Sequence, residues 1–548
     1  MEPIDQDLEE SELELPAEPM KLNMGPAHPA MHGTVRMVLE LSGETVDKVD
    51  IQIGYLHRAF EKMCERGTWT QCFPYVDRLN YVSPMLNNNG FAMAVEKLLG
   101  IKVPERCEYY RVILGELARI CDHLTCNGAS AMELGAFTPF LWFIKARDLI
   151  WDIFEEETGA RLTHSFSRVG GMAKPPTAGF KDQVRGALAA VIKLVQEGES
   201  LLLKNRIFIE RLEGVGRMSP ELAIAYSWTG PCLRSTGVAY DVRKAHPYSV
   251  YDRFDFDVPV GTTGDNYDRY MVRLEEIRQS IRIIDQALKQ MPDQGPINVD
   301  DPRVVLPPKD EVYTTIEATI QHFKIVMEGI KVPAGECYSY SEAGNGELGF
   351  YLVSDGSGTP YRVRIRPPSF ILTSGLHHMI EGGMIADIVP TFGSINMIGG
   401  ECDHGASEPE RSETRAVSPR TGSRSVWPPV RVAQERVRRR GAPIPSERRE
   451  TERCQASRLT AARYPLSRVT RSSGRRTAPA LISPTTAGTP ACRWRPTAAC
   501  AWSRSSRRRA RARRCASTCC AGTPPRASTS PTRSRRCSRR VSGSATTA

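Results

Sequence analysis

The chain has 548 residues, and its net charge of +10 averages two unlike parts. Of the 73 Lys and Arg, 33 follow His404, all of them arginine and accompanied by only 7 acids, so the preceding body carries −16. That body is long enough for one large core or two closely packed ones, and with no uninterrupted apolar run of about 18 residues to cross a bilayer, any membrane association is expected to be peripheral.

Residues 1–20, with Glu9, Glu10, Glu12 and Glu14, are too charged to pack and lack the basic start and apolar run of a secretory signal; a disordered lead is expected. The segment Met24 to Arg36 then places His28 and His32 four apart between Pro26, Pro29 and Gly33. Proline withholds donors and favours extended neighbours, so this is a rigid loop rather than a helix. A rigid loop carrying imidazoles suits proton delivery to a bound substrate, although histidines that satisfy nearby backbone groups would give the same pattern. Val35–Leu41 and Val46–Ile53 alternate apolar and polar positions around Ser42-Gly43-Glu44, which predicts a hairpin.

Apolar residues at spacings of three and four predict helices over Tyr55–Glu65, Pro84–Leu99, Glu105–Cys126, Thr138–Glu157, Phe180–Lys204, Asp268–Met291 and Glu311–Gly329. Gly349–Val353 and Tyr361–Ile365 flank Ser354-Asp355-Gly356-Ser357-Gly358 as a second hairpin, with Arg362, Arg364 and Arg366 on one charged face. The fold class expected is α+β, a long-helix core with peripheral β-hairpins. From Gly405 the chain alternates Arg, Ser, Pro, Ala and Thr without period. Such a tail could be a nucleic-acid-binding arm, but selection for charge has no reason to exclude lysine. A GC-rich gene read out of frame yields this composition, stray Cys515 and Trp502 included, so the tail 404–548 is read as disordered or frameshift-derived and the folded body as 21–403.

Few residues carry chemistry beyond the opening loop. Tyr81, in Asp77-Arg78-Leu79-Asn80-Tyr81-Val82-Ser83, offers a phenol donor, as any core tyrosine would. Glu133 is a lone acid among small and apolar residues, a candidate for a buried carboxyl or for orienting a histidine, and equally for a helix cap. The eight body cysteines include no C-x-x-C pair, so no metal or cluster of its own is expected. No phosphate-cradling glycine motif follows a strand.

Six separated motifs nevertheless share one order: GPAHPAMHG, GYLHRAFEK at Gly54–Lys62, DRLNYVS at Asp77–Ser83, GARLTHSFSRVGG at Gly159–Gly171, GDNYDRYMVR at Gly264–Arg273 and GELGFYLVSDGSGTPYRVRIRPPSF at Gly346–Phe370. From about Met20 to Asp403 the chain resembles the large quinone-site subunit of respiratory complex I, NADH:quinone oxidoreductase. The resemblance implies that His32 and Tyr81 hold the quinone head group by its carbonyl oxygens, with His28 also among the quinone-binding residues, and that Glu133, often aspartate in relatives, pairs with His32. It also implies a subunit active only within the complex, on the cytoplasmic face of the bacterial inner membrane. Electrons would come from an iron–sulfur cluster in a neighbouring B-type subunit. A C-type subunit and membrane subunits would be further partners, with NAD bound elsewhere and reduction coupled to proton translocation. The nickel–iron hydrogenase large subunit is similar to this family and is the alternative, but it needs two C-x-x-C pairs; here the corresponding regions offer only Cys64 and Cys402. A nucleic-acid-binding protein acting through the tail is the other alternative, and no nucleic acid is expected.

Overall fold

The computed structural model describes residues 19–404; the acidic lead before residue 19 and the Arg-rich tail from 405 lie outside the described residues. Strands β1 (Met20–Met24), β2 (Arg36–Ser42) and β3 (Thr45–Gln52) form an antiparallel sheet in that order. Met37, Leu39 and Leu41 alternate inward along β2, and Val46 and Val49 continue that face on β3, so period-two patterning fixes which side meets the core. Strand β1 begins at Met20, inside the segment expected to be disordered, because Met20 to Met24 pair in register with Leu41 to Met37.

Five long helices make the centre: α1 (Pro84–Leu99), α2 (Glu105–Glu133), α3 (Phe137–Thr158), α4 (Phe180–Leu202) and α5 (Asn266–Gln290). Helix α2 packs against α1, α3 and α5, and its Ile113, Leu117, Ile120 and Leu124 are fully buried in the main core. It continues about two turns beyond the predicted end at Cys126. The small residues Gly128, Ser130 and Ala131 blur the apolar period there but let α3 approach closely at Phe140 and Phe143. The helix stops where Gly135 adopts φ +84° and the Gly135 and Ala136 N–H groups return to the Met132 and Ala131 carbonyls, a left-handed C-terminal cap.

Two predicted helices change form. Tyr55–Glu65 is helical only over Phe60–Cys64, because the Asp403 carboxylate takes the Gly54 and Leu56 N–H groups at 2.8 and 2.6 Å and holds the preceding residues in a loop. Glu311–Gly329 is two helices, Lys309–Thr314 and Ile316–Met327, since extended Thr315 caps the second with its own hydroxyl. The C-terminal hairpin is likewise two-thirds of a three-stranded sheet, β4 (Gly335–Glu342), β5 (Glu347–Ser354) and β6 (Arg362–Arg366). It is not peripheral: Leu348, Phe350 and Leu352 of β5 are buried against α1. Strand β4, Gly-Glu-Cys-Tyr-Ser-Tyr-Ser-Glu, has too few apolar residues to announce itself.

The long helices enclose a network of buried charge. Arg119 and Arg243 bind Glu116, Arg243 also binds Asp241 at 2.6 Å, and Arg234 bridges Glu276 and Glu342 at 2.7 and 2.9 Å; His123 meets Glu276 at 2.8 Å. Burial opposes ionisation of Glu116 and Glu276, but the facing arginines prevail and hold each carboxyl at about 2. The last elements, α6 (Ile385–Ser394) and α7 (Gly399–Cys402), return the chain to α2 and to the loops before α1.

Candidate functional site

The loop bearing the two histidines contains one 3₁₀ turn, Pro29–Met31, which the prolines had argued against. Pro29 occupies the first helical position, where its missing donor is not needed. His28 starts the turn: its Nδ1 accepts from the Ala30 N–H at 3.2 Å, so this ring serves the backbone. His32 ends the turn with φ 54°, which swings its ring, 42% exposed, against Phe392 of α6 and toward Glu133.

Glu133 is the last residue of α2, and only 7% of its side chain is exposed. Its Oε1 lies 3.8 Å from His32 Nε2, beyond hydrogen-bond range, and its Oε2 has no partner. Gly393 of α6 makes room for that oxygen: a Cβ at Gly393 would stand 2.1 Å from Oε2. Burial pushes the Glu133 carboxyl up to about 8 and shifts His32 down, so both groups favour their neutral forms near pH 7. The carboxylate at a helix C-terminus also opposes the helix dipole. The two groups thus stand as neighbours across 3.8 Å, where desolvation outweighs their attraction.

Tyr81 sits in the segment between the short helix Phe73–Val76 and α1. Burial raises its phenol pKa, the Arg58 guanidinium opposes that rise, and Cys402, Glu401 and the Gly399 backbone also bear on it. Helix α7 packs directly on this segment, as a Cβ on Gly400 would come within 2.2 Å of the Arg78 carbonyl. Thus His32 and Glu133 adjoin α6, and Tyr81 adjoins α7, with no hydrogen bond between His32 and Tyr81 among the described residues. A cavity of about 530 Å³ lined by Arg168, Val169, Met172, Val304 and Ile325 includes none of the three.

Residues 392–404 supply more of this region than their composition announces. Glu401 is fully buried, accepts from the Ser369 N–H and hydroxyl, and is pushed up to about 7 by burial. His404, placed in the tail on sequence grounds, is buried against Phe370 with its ring nitrogens 2.8 Å from the Glu401 carbonyl and 3.2 Å from that of Ile365. The available signal was the Gly399-Gly400-Glu401-Cys402-Asp403 run itself, two acids in an apolar setting. His164, in the 159–171 motif, is half-buried, and its ring lies 4.5 Å from that of Phe154.

Residues 133–404 match the family described as "Respiratory-chain NADH dehydrogenase, 49 Kd subunit". The first D-type subunit of the NADH-quinone oxidoreductase of Sorangium cellulosum is 77% identical over 404 residues, covering 74% of this chain and 100% of that protein. The chain belongs to the D-type subunit family of NADH-quinone oxidoreductase. Another member, from Myxococcus xanthus, is 58% identical over 396 residues, 72% of this chain and 95% of the relative. A relative whose name combines the C and D types, from Bdellovibrio bacteriovorus, is 48% identical over 384 residues, which is 70% of this chain and 68% of that longer protein. Membership of this family makes the chain a component of an oxidoreductase complex and disfavours both alternatives, hydrogenase-like and nucleic-acid-binding. Among the described residues no three His, Cys, Asp or Glu side chains converge as a metal would require, and no helix is long and apolar enough to cross a membrane. Burial raises the Cys107 and Cys126 thiols to about 11 and 12.

Proposed function

We propose that the body forms much of the quinone-reduction site of a proton-translocating NADH:quinone oxidoreductase, with His32 and Tyr81 as the groups that contact the quinone head group. The observation that carries this reading is the half-exposed His32 ring 3.8 Å from the buried Glu133 carboxyl, whose ionisation burial opposes. Quinone reduction takes up two electrons and two protons, and each oxygen gains negative charge that a nearby donor stabilises before giving up its proton. The Tyr81 hydroxyl supplies one donor. Neutral His32 supplies the other through Nδ1, while protonated Glu133, whose Oε1 lies 3.8 Å from Nε2, can replace the proton at that second nitrogen. His28 stands next to the site and shapes the loop.

Electrons are supplied from a neighbouring subunit: the spread of the chain's own cysteines fits a cluster held by a B-type partner. A C-type partner fits the occurrence of a relative of combined C and D type. The absence of a membrane-crossing helix among the described residues is compatible with peripheral attachment at the cytoplasmic face of a bacterial inner membrane, with membrane subunits at the site entrance and NAD bound elsewhere in the complex. In the assembled complex, Tyr81→Phe and His32→Ala should each lower quinone reduction several-fold while NADH oxidation by an artificial acceptor upstream of the quinone is kept. Removing one such hydrogen bond costs about 1 kcal/mol or more. Wild-type quinone turnover and KM in both variants would refute the assignment.

A further inference from the structure

Asp122 lies in the middle of α2, fully buried, with no cationic nitrogen within 4 Å among the described residues. A buried carboxylate without a counter-ion is costly unless its oxygens are well supplied with donors. Asp122 is supplied from two directions. Its Oδ2 accepts from Asn80 Nδ2 at 3.1 Å and from the Ser83 hydroxyl at 3.4 Å, and its Oδ1 accepts from Asn396 Nδ2 at 3.2 Å. The first two donors flank Tyr81. The third belongs to the stretch that leads into α7, the helix packed on Tyr81's segment.

The amide orientations leave little choice. Asn80 Oδ1 already accepts from the Val82 and Ser83 N–H groups, so its Nδ2 must face Asp122. Asn396 Nδ2 also donates to Asn345 Oδ1 at 2.6 Å, and the Asn345 amide donates to the Asn396 carbonyl and to Ser369, whose hydroxyl donates to Glu401. The carboxylate therefore has a donor on each side, and the Gly344 backbone closes the remaining space, a Cβ there falling 1.7 Å from Oδ2. An asparagine at 122 would present one acceptor and one NH₂ group to two NH₂ groups, and one strap would be lost.

We propose that Asp122 is a positioning residue of the quinone site, whose single carboxylate straps the Asn80–Ser83 segment and the Asn396–Cys402 segment to α2 and so sets where the Tyr81 hydroxyl stands. The proposal rests on the reading of Tyr81 as a quinone-contacting group. The test is Asp122→Asn in the assembled complex, alone and combined with Tyr81→Phe. Amide hydrogen exchange should quicken in residues 78–83 or in 396–402, whichever segment faces the new NH₂ group, and stay unchanged along α2. Quinone KM should rise about ten-fold, the factor a lost hydrogen bond to a charged group represents, with artificial-acceptor turnover unaltered. The double variant should be no worse than Tyr81→Phe. Native exchange in both segments, an unchanged KM, or additive losses in the double variant would each overturn the proposal. If Tyr81→Phe alone leaves quinone reduction untouched, the Tyr81 reading falls while the exchange data still decide the strap. Should Asp122→Asn fail to assemble, Asn80→Ala removes one strap only: exchange should then quicken in 78–83 but not in 396–402, and unaltered exchange there would overturn the proposal.

Discussion

Glu133 meets two penalties at once, removal from water and the negative end of a 29-residue helix, and its nearest base is too far away to offset them. Its pKa is raised from 4.5 to about 8, so the stability it contributes is fully present below about pH 4.5 and is lost as the pH rises through about 8. Glu133→Gln keeps the shape and abolishes the titration. The variant protein should therefore lose less stability than the parent between pH 5 and 8, a difference of a few kcal/mol at most, read from denaturant midpoints across that range. Turnover should fall several-fold, because the amide cannot pass on a proton, and more steeply at low pH than at high. His32 and Glu133 come together in space, as the family resemblance implied, but their charge state was not legible in the sequence. Charge state depends on how much water the assembled α6 excludes, and nothing near residue 133 reports residues 392 and 393.

Helix boundaries were legible where the chain carries its own punctuation and illegible where distant residues set them. Pro84–Leu99 was foreseen to the residue because proline opens it and Gly100, at φ +68°, closes it. The Tyr55–Glu65 pattern was equally periodic, yet Asp403, almost 350 residues on, holds the Gly54 and Leu56 N–H groups and Ala59 takes a left-handed φ of 50°, so the helix starts only at Phe60. Helix α2 gives the sharpest test of how an element end places a side chain. Gly135→Ala puts a Cβ at φ +84° and should cost about 1 kcal/mol, lowering the melting midpoint by a few degrees while quinone KM changes through the displaced Glu133. Gly393→Ala attacks the same carboxyl from the facing helix. With 2.1 Å available, the new methyl must push Glu133 aside, so quinone turnover should drop while the artificial-acceptor reaction continues. Equal losses in both reactions would show general damage instead.

Across the whole molecule, the buried charge network is the part most exposed to single substitutions. Arg234→Met strands Glu276 and Glu342 in the core and should cost about 3–5 kcal/mol, enough to prevent assembly at growth temperature. Because Glu116 and Glu276 are held near 2, below their ordinary 4.5, their contribution is present above pH 4.5 and disappears as the pH falls toward 2; acid unfolding should start there in the parent chain. The α+β class was legible in the periodicities, but this network was not, since its members come from α2, the 234–243 region, α5 and β4 and show no common sequence signature. A chain ended after His404, where the family match ends, should assemble and turn over quinone like the full chain; an intact mass of 60.9 kDa in native complex would instead make the tail a genuine product. The long reach of Asp403 and Glu401 carries a temporal meaning too. During synthesis the loop at 54–57 and the wall behind Tyr81 wait for almost the last codons of the body before their partners emerge from the ribosome. A nascent chain arrested before residue 399 should be cut readily by protease near Gly54, whereas one released past 404 resists. The 54–57 loop and the segment carrying Tyr81 thus gain their last packing partners only when residues 399–404 have been made.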